Sequence, residues 1–124
     1  DYLLYMEEAG MVSQLRFETK GIRGLGKVDK VYLDNTNLVY GLAHENPSKG
    51  NIRETFFMNQ LRVAYPIVSS VIADFTIDGF DFEIGGKNKS GKQIKTAAKG
   101  FVVKDDIETG FLNTIPLWHF GLLY

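Results

Sequence analysis

Two acidic residues and a lysine lie within one short stretch of the chain, residues 73–87, whose sequence is ADFTIDGFDFEIGGK. Asp74 and Glu83 flank a turn signal in this stretch, and Lys87 follows soon after Glu83. Acids on adjacent strands with a lysine nearby suit a hard cation such as Mg²⁺, which activates water against a phosphate. On this hypothesis Asp74 and Glu83 bind Mg²⁺, and Lys87 stabilises the attacking water or the charge that develops on the phosphate.

The turn signal is the Asp78-Gly79 pair, which favours a type I′ turn because both central residues of that turn need a positive φ. Alternating apolar and polar residues on either side predict two half-buried strands. The turn fixes the opposed pairs, which are Ile77 with Phe80, Thr76 with Asp81, Phe75 with Phe82 and Asp74 with Glu83. Because successive side chains alternate between faces, the apolar residues share one face and the polar residues share the other.

The expected opposition of Asp74 and Glu83 brings like charges together, with Cβ atoms about 4.5–5.5 Å apart, and this is unfavourable. A positive group should therefore lie near both acids, either a divalent cation or a lysine. A simpler interpretation stays open, and the pattern alone favours it. Polar strand faces are often only solvated, in which case these acids bind nothing.

A third carboxylate comes from the segment 51–65, NIRETFFMNQLRVAY, which is the best predicted helix in the chain. Its apolar residues recur at helical spacing, and Pro66 is expected to end it. Glu54 lies on the apolar side of this helix, so it could point at the hairpin and support the metal or the water. Alternatively, Asn51 caps the helix and Glu54, three residues on, completes a capping box. The sequence leaves both interpretations open.

A basic, glycine-rich loop precedes this helix, with the sequence KGIRGLGKVDK over residues 20–30. It follows a predicted helix and strand and leads into a returning strand. Helix, strand, loop and strand form the tail of a winged-helix unit, whose wing can touch DNA phosphates through Lys20, Arg23 and Lys27. The pattern favours the simpler alternative, a solvated basic loop with glycines for turning.

The composition bounds the class of protein. The chain has 124 residues, 44% of them hydrophobic and 23% charged, with a net charge of −1, which is typical of a folded domain. No overall basic charge indicates nucleic-acid binding, so such a contact would rest on local patches. The absence of cysteine excludes a disulfide scaffold and a cysteine nucleophile. No apolar run approaches the roughly 20 residues that span a bilayer, and we expect a cytoplasmic protein without membrane contact.

Three further features shape these expectations. The stretch 86–93, GKNKSGKQ, nearly matches the phosphate-binding loop GxxxxGK[ST], but Gln93 stands where a hydroxyl would hold Mg²⁺, so we expect no ATP site there. The stretch 114–124, TIPLWHFGLLY, is too apolar to leave exposed and should pack on the core, with Trp118 inside. The chain opens at Asp1 directly on a helical pattern, so we interpret it as part of a longer protein.

Several segments, taken together, resemble one family. They are KVYLDNTNLVYGL over 30–42, GNIRETFFMNQL over 50–61, ADFTI and FEIGGKNK within 73–89, and IPLWHFGLLY over 115–124. With them the chain resembles the carboxyl-terminal region of prokaryotic AAA-type P-loop ATPases, in which an amino-terminal ATPase module precedes a domain of unknown function. The resemblance spans essentially the whole chain, and EIGGKNK and IPLW are its most specific pieces.

This resemblance implies a winged-helix segment that links the ATPase to a restriction-endonuclease-like domain of the PD-(D/E)XK class. It implies that Glu54 is the helix acid, Asp74 the first strand acid and Glu83 the acid of the E-x-K element. Two glycines lie between Glu83 and Lys87, and a straight strand would carry Lys87 about 13 Å away. A glycine bulge could bring it back. The family's ATP site belongs to the amino-terminal module, outside this sequence.

We therefore predict an α+β fold in two parts. Residues 1–46 form the end of a winged-helix unit with its linker, and residues 47–124 form a PD-(D/E)XK nuclease-like small mixed sheet flanked by helices. The expected function is that of an accessory domain of an AAA-type ATPase, which contacts its own ATPase module and other partners or nucleic acid. Two alternatives stay open: a Mg²⁺-dependent DNA nuclease using Asp74, Glu83 and Lys87, or a purely structural or oligomerising module.

Overall fold

The structure, a computed structural model, describes residues 1–19 and 26–123. In chain order it contains α1 (Tyr2–Glu8), β1 (Val12–Arg16), β2 (Val28–Leu33), α2 (Thr36–Leu42), α3 (Lys49–Leu61), β3 (Val68–Ser69), β4 (Phe75–Ile77) and β5 (Phe80–Gly85). A first 3₁₀ helix (Gln93–Thr96), β6 (Gly100–Lys104), β7 (Thr114–Pro116) and a second 3₁₀ helix (Leu117–Leu122) follow. Two residues of the predicted wing, Lys20 and Arg23, lie outside the described residues.

The strands form two sheets. β1 and β2 are an antiparallel pair, and the other five strands form one mixed sheet in the order β3-β4-β5-β6-β7. In the mixed sheet β3, β4 and β5 are antiparallel neighbours, whereas β5, β6 and β7 run parallel. The predicted α+β class, with a small mixed sheet and helices beside it, is therefore confirmed. None of the helices in the described parts of the chain is long and apolar enough to cross a membrane.

The core forms where α3 packs on the mixed sheet. The buried ring of Phe57 lies 5.0 Å from the ring of Phe75 and 5.4 Å from that of Phe82, measured between centroids. Phe120 of the second 3₁₀ helix completes this aromatic cluster, with its ring centroid 5.0 Å from that of Phe57. Tyr32 of β2 lies 5.9 Å from Phe75, so the β1–β2 pair contributes to the same core. The division of the chain into residues 1–46 and 47–124 stays a prediction.

The predicted tight hairpin is confirmed between β4 and β5. Asp78 and Gly79 have φ values of 50° and 81°, as a type I′ turn requires. Three of the four expected pairs form, from Ile77 opposite Phe80 outward to Phe75 opposite Phe82.

The fourth expected pair, Asp74 opposite Glu83, is wrong. β4 begins at Phe75, and the Asp74 backbone N–H donates to the Phe82 carbonyl at 3.1 Å. The Asp74 side chain then accepts the Ile84 N–H at 2.8 Å through Oδ2. The Ile84 N–H thus donates to a carboxylate oxygen where a regular ladder would offer it a backbone carbonyl. This hydrogen bond holds the Asp74 carboxyl group just before the start of β4.

The start of α3 also differs from expectation. The N-cap is Ser48, whose Oγ accepts the Asn51 N–H at 3.4 Å, so the predicted Asn51 cap and capping box are wrong. Serine and asparagine are both good caps, but the helix begins right after Pro47-Ser48 and so includes Asn51. Glu54 therefore lies beyond the first turn, where its carboxylate does not serve the helix end.

The carboxyl-terminal segment packs on the core as expected, since Leu117 is buried and Phe120 contacts the aromatic cluster. Trp118 was predicted to lie inside and is instead 52% exposed. It follows Leu117 in the second 3₁₀ helix, and consecutive residues of a helix cannot both face the core.

Candidate functional site

The carboxylate of Glu54 faces strand β2. Its Oε2 accepts a hydrogen bond of 2.6 Å from the Tyr32 hydroxyl and lies 3.2 Å from the Lys30 ammonium nitrogen. Lys30 and Tyr32 are two residues apart on one strand, so their side chains leave the same face. The interpretation of Glu54 as an acid directed away from its own helix end is therefore the one that the geometry supports.

Lys30 also connects Glu54 to Asp74. Its Nζ lies 3.9 Å from Asp74 Oδ1, so one ammonium group stands between two carboxylates from different elements. Burial raises the pKa of Asp74, and the nearby Glu54 charge raises it further, while the Ile84 N–H, Lys30 and Lys89 lower it. The net rise means that the donors and lysines do not fully offset the loss of hydration.

Tyr32 acts as a hydrogen-bond donor at this site. Burial raises the pKa of its phenol, and the hydrogen bond to Glu54 raises it further. The hydroxyl therefore keeps its proton at neutral pH and cannot serve as a general base.

The second acid of the predicted pair is deeply buried. Glu83 is 2% exposed, and the ammonium group of Lys89 lies 3.3 Å from its Oε1. Its Oε2 has no hydrogen-bond partner among residues 1–19 and 26–123. Lys87, which was expected beside Glu83, is exposed and belongs to none of the ion pairs of the described residues. The lysine that contacts Glu83 is thus Lys89.

The double glycine explains how Lys89 returns to the acid. The chain turns after β5, where the Lys89 N–H donates to the Gly86 carbonyl at 3.0 Å. A Cβ atom on Gly85 would lie 2.6–2.8 Å from the Lys89 side chain, and one on Gly86 would lie 3.2 Å from the Arg53 guanidinium. At Gly85 a side chain would require Lys89 to move, whereas at Gly86 the flexible Arg53 side chain would have to give by only a few tenths of an ångström. Two adjacent glycines before a second lysine were the signal in the sequence that could have found Lys89.

Of the four carboxylate oxygens of Asp74 and Glu83, all but Glu83 Oε2 already have a partner. Asp74 contacts the Ile84 N–H and Lys30, and one oxygen of Glu83 faces Lys89. In the described parts of the chain, no group of three or more His, Cys, Asp or Glu side chains is close enough together to hold a metal ion. The positive charge that the acids require is supplied here by lysines. Mg²⁺ at Asp74 and Glu83 stays a prediction, and this donor set does not by itself favour it.

Comparisons with known proteins give no relatives, because no protein-family model, no curated protein and no solved structure matches the chain. The resemblance to the AAA-type ATPase region therefore stays a prediction, and function has to be argued from the geometry of the site.

Proposed function

We propose that the chain is a non-catalytic accessory domain of an AAA-type ATPase, with a nuclease-like fold that contacts protein partners or nucleic acid. One observation carries this proposal. Every acid that would build a nuclease centre has a lysine as counter-ion: Lys30 lies between Glu54 and Asp74, and Lys89 faces Glu83. Such pairs compensate the charge of carboxylates that the fold has partly or fully removed from water, so the three acids have structural partners and do not require a metal ion.

The architecture supports the family part of the proposal. A small mixed sheet with α3 packed on it agrees with a PD-(D/E)XK-like domain. The order of helix α1, strand β1 and strand β2 agrees with the end of a winged-helix unit. In this proposal ATP binds only the ATPase module outside this sequence, and the domain is present in a cytoplasmic, prokaryotic protein.

A second candidate function is the Mg²⁺-dependent nuclease, and one observation favours it. Glu83 Oε2 is buried and has no hydrogen-bond partner within the described residues, and a lysine stands next to this carboxylate. A carboxylate can hold the metal ion that activates water, and a lysine beside it can stabilise the charge that develops on the phosphate. In that case Lys89 takes the role that the sequence assigned to Lys87.

Metal titration separates the two candidates. The wild type, Asp74→Asn and Glu83→Gln are titrated with Mg²⁺ and Mn²⁺ while the Tm is followed, and each is assayed for cleavage of single-stranded and double-stranded DNA. Asp106→Asn, at an exposed position, serves as the control for loss of one carboxylate. We expect the same small metal response in all four proteins and no cleavage. A metal-induced rise in Tm and metal-dependent cleavage that both vanish in Asp74→Asn and Glu83→Gln would establish the nuclease instead.

A further inference from the structure

The connection between the parallel strands β5 and β6, residues 86–99, is unusually rich in lysine. From Ile84 to Lys104 the sequence contains six lysines, five of them within residues 86–99, and no acidic residue, although the whole chain carries a net charge of −1 and has 14 lysine and arginine residues. Much of the positive charge of the chain is therefore concentrated in one connection, while the rest of the chain is net acidic. We call residues 86–99 the lysine crossover.

The lysine crossover lies on the face of the mixed sheet that α3 does not cover. Phe82 and Phe101 are register partners whose rings stack at 5.6 Å on the side of Phe57. The next partner on β6, Val102, faces the other side. There a Cβ atom on Gly91 would lie 2.7 Å from Val102 Cγ2. The crossover thus packs against the sheet, and Ile94 of its 3₁₀ helix is buried in the contact.

Four of its lysines are directed to solvent: Lys87, Lys92, Lys95 and Lys99 are exposed, and we call them the lysine patch. Lys89 differs, because it turns inward to Glu83. No ion pair within the described residues involves a lysine of the patch. The ammonium group of Lys99 lies 5.1 Å from the centre of the Phe80 ring. Phe80 shares the α3 side of the sheet with Phe82, so Lys99 lies at the rim of the face that carries the crossover. These charges are therefore available to an anionic partner.

The residues around the patch indicate which anionic partner it fits. The other exposed side chains of the crossover are small or polar: Asn88, Ser90, Gln93, Thr96 and Ala98. No large apolar residue between positions 73 and 110 is exposed. Protein–protein interfaces have an apolar centre and are depleted in lysine, whereas contacts to a phosphate backbone use lysines together with hydroxyl and amide side chains. This surface has the second composition.

We propose that the lysine patch binds the phosphate backbone of nucleic acid without regard to base sequence. The inference deepens the proposed accessory function and rests on it for the kind of contact that the domain makes. It assigns the contact to residues 86–99, on the sheet face opposite α3 and its rim, and thus to a different segment of the chain from the wing that the sequence suggested. The patch contains no arginine and no exposed aromatic platform. Its lysines attract phosphates as point charges, which gives affinity for the backbone without the rigid guanidinium fork that favours recognition of a particular base.

The test measures how binding depends on salt. The full chain is titrated, in EDTA, against a fluorescein-labelled single strand and the matching duplex over a series of NaCl concentrations, with anisotropy as the readout. Each lysine that neutralises a duplex phosphate contributes about −0.9 to the slope of log K against log[salt]. The variant Lys92→Gln/Lys95→Gln/Lys99→Gln is expected to flatten that slope by about 2–3 and to weaken binding more than 10-fold at low salt.

Single substitutions give a charge-matched control. Lys95→Gln and Lys49→Gln each remove one exposed lysine, the first from the patch and the second from the start of α3. Lys95→Gln is expected to lower the slope by about 1 and Lys49→Gln to leave it unchanged. Equal effects of the two substitutions, an unchanged slope in the triple variant, or equally tight binding to poly-glutamate would each overturn the proposal. These outcomes would contradict only the nucleic-acid contact of the patch and would not contradict the proposed accessory function. Metal-dependent cleavage, in contrast, would contradict the accessory function and would not contradict binding of phosphates by the patch.

Discussion

Two lysines follow Glu83 closely in the sequence, and they have different roles. A buried carboxylate loses its hydration, and folded proteins tolerate it when a cation or several donors compensate the charge. Lys89 does so for Glu83 at 3.3 Å. Lys87, two residues earlier, is exposed and adds charge to the surface. One lysine thus compensates a buried charge, and the other is a solvated surface charge.

Replacing each lysine by methionine tests this difference. Lys89→Met leaves Glu83 as a buried charge without its cation, so the free energy of unfolding in urea should fall by about 2–4 kcal/mol. Lys87→Met should change it by no more than about 0.5 kcal/mol, as is usual for exposed sites. In the double variant Glu83→Gln/Lys89→Met part of the loss should return, because no unpaired charge remains. Equal losses in the two single variants would show that the pair contributes nothing.

At the scale of elements, the turn after β5 positions Lys89, and it depends on the lack of a side chain at Gly85. The contacts that a Cβ atom would make there include the Lys89 Cβ at 2.8 Å. Since Cβ is fixed to the backbone, the turn itself would have to move.

Alanine at Gly85 should therefore loosen the turn and the ion pair together. We expect Gly85→Ala to lower the free energy of unfolding by about 1–3 kcal/mol, the usual cost of overpacking. Gly41→Ala is the opposite control, because Gly41 lies in α2 and a Cβ atom there meets nothing within 4 Å. That substitution should raise stability by about 0.5–1 kcal/mol through helix propensity. Urea unfolding measures both, and a neutral Gly85→Ala would contradict the packing argument.

Elements defined by local chemistry were predictable from the sequence. Asp78-Gly79 forces the backbone into one turn type, and this turn gave the register of β4 and β5 correctly for three pairs. The register failed at Asp74, where a side chain competes with the backbone for the Ile84 N–H. Such competition depends on the three-dimensional position of the carboxylate and leaves no trace in an alternating pattern.

The candidate site was predictable only in part, for the same reason. The acids Glu54, Asp74 and Glu83 were identified from their types and places, and the need for a positive group near them was anticipated. Their counter-ions are Lys30, which comes from a distant strand, and Lys89, which depends on a turn. Neither contact follows from periodicity, because both require the fold to be assembled first.

At the scale of the whole molecule, one core connects the parts that the sequence separates. Leu15 of β1 is fully buried, and it belongs to the same cluster as Phe57 and Val103. Lys30 and Tyr32 of β2 meet Glu54 of α3. Contacts of this kind make the stability of the β1–β2 pair and that of the mixed sheet depend on each other.

Hydrogen exchange in a core variant tests that dependence. Leu15→Ala should lower the free energy of unfolding by about 2–5 kcal/mol, because it leaves a cavity in the shared core. If the chain unfolds as one cooperative unit, the amide protons of β5 and β6 should lose as much protection as those of β1 and β2. Val63→Ala, at a position 68% exposed, should leave both regions unchanged. Loss of protection confined to β1 and β2 would instead support two independently stable parts, divided near residue 46 as the sequence suggested. In that case the unfolding of one part would not change the free energy of unfolding of the other.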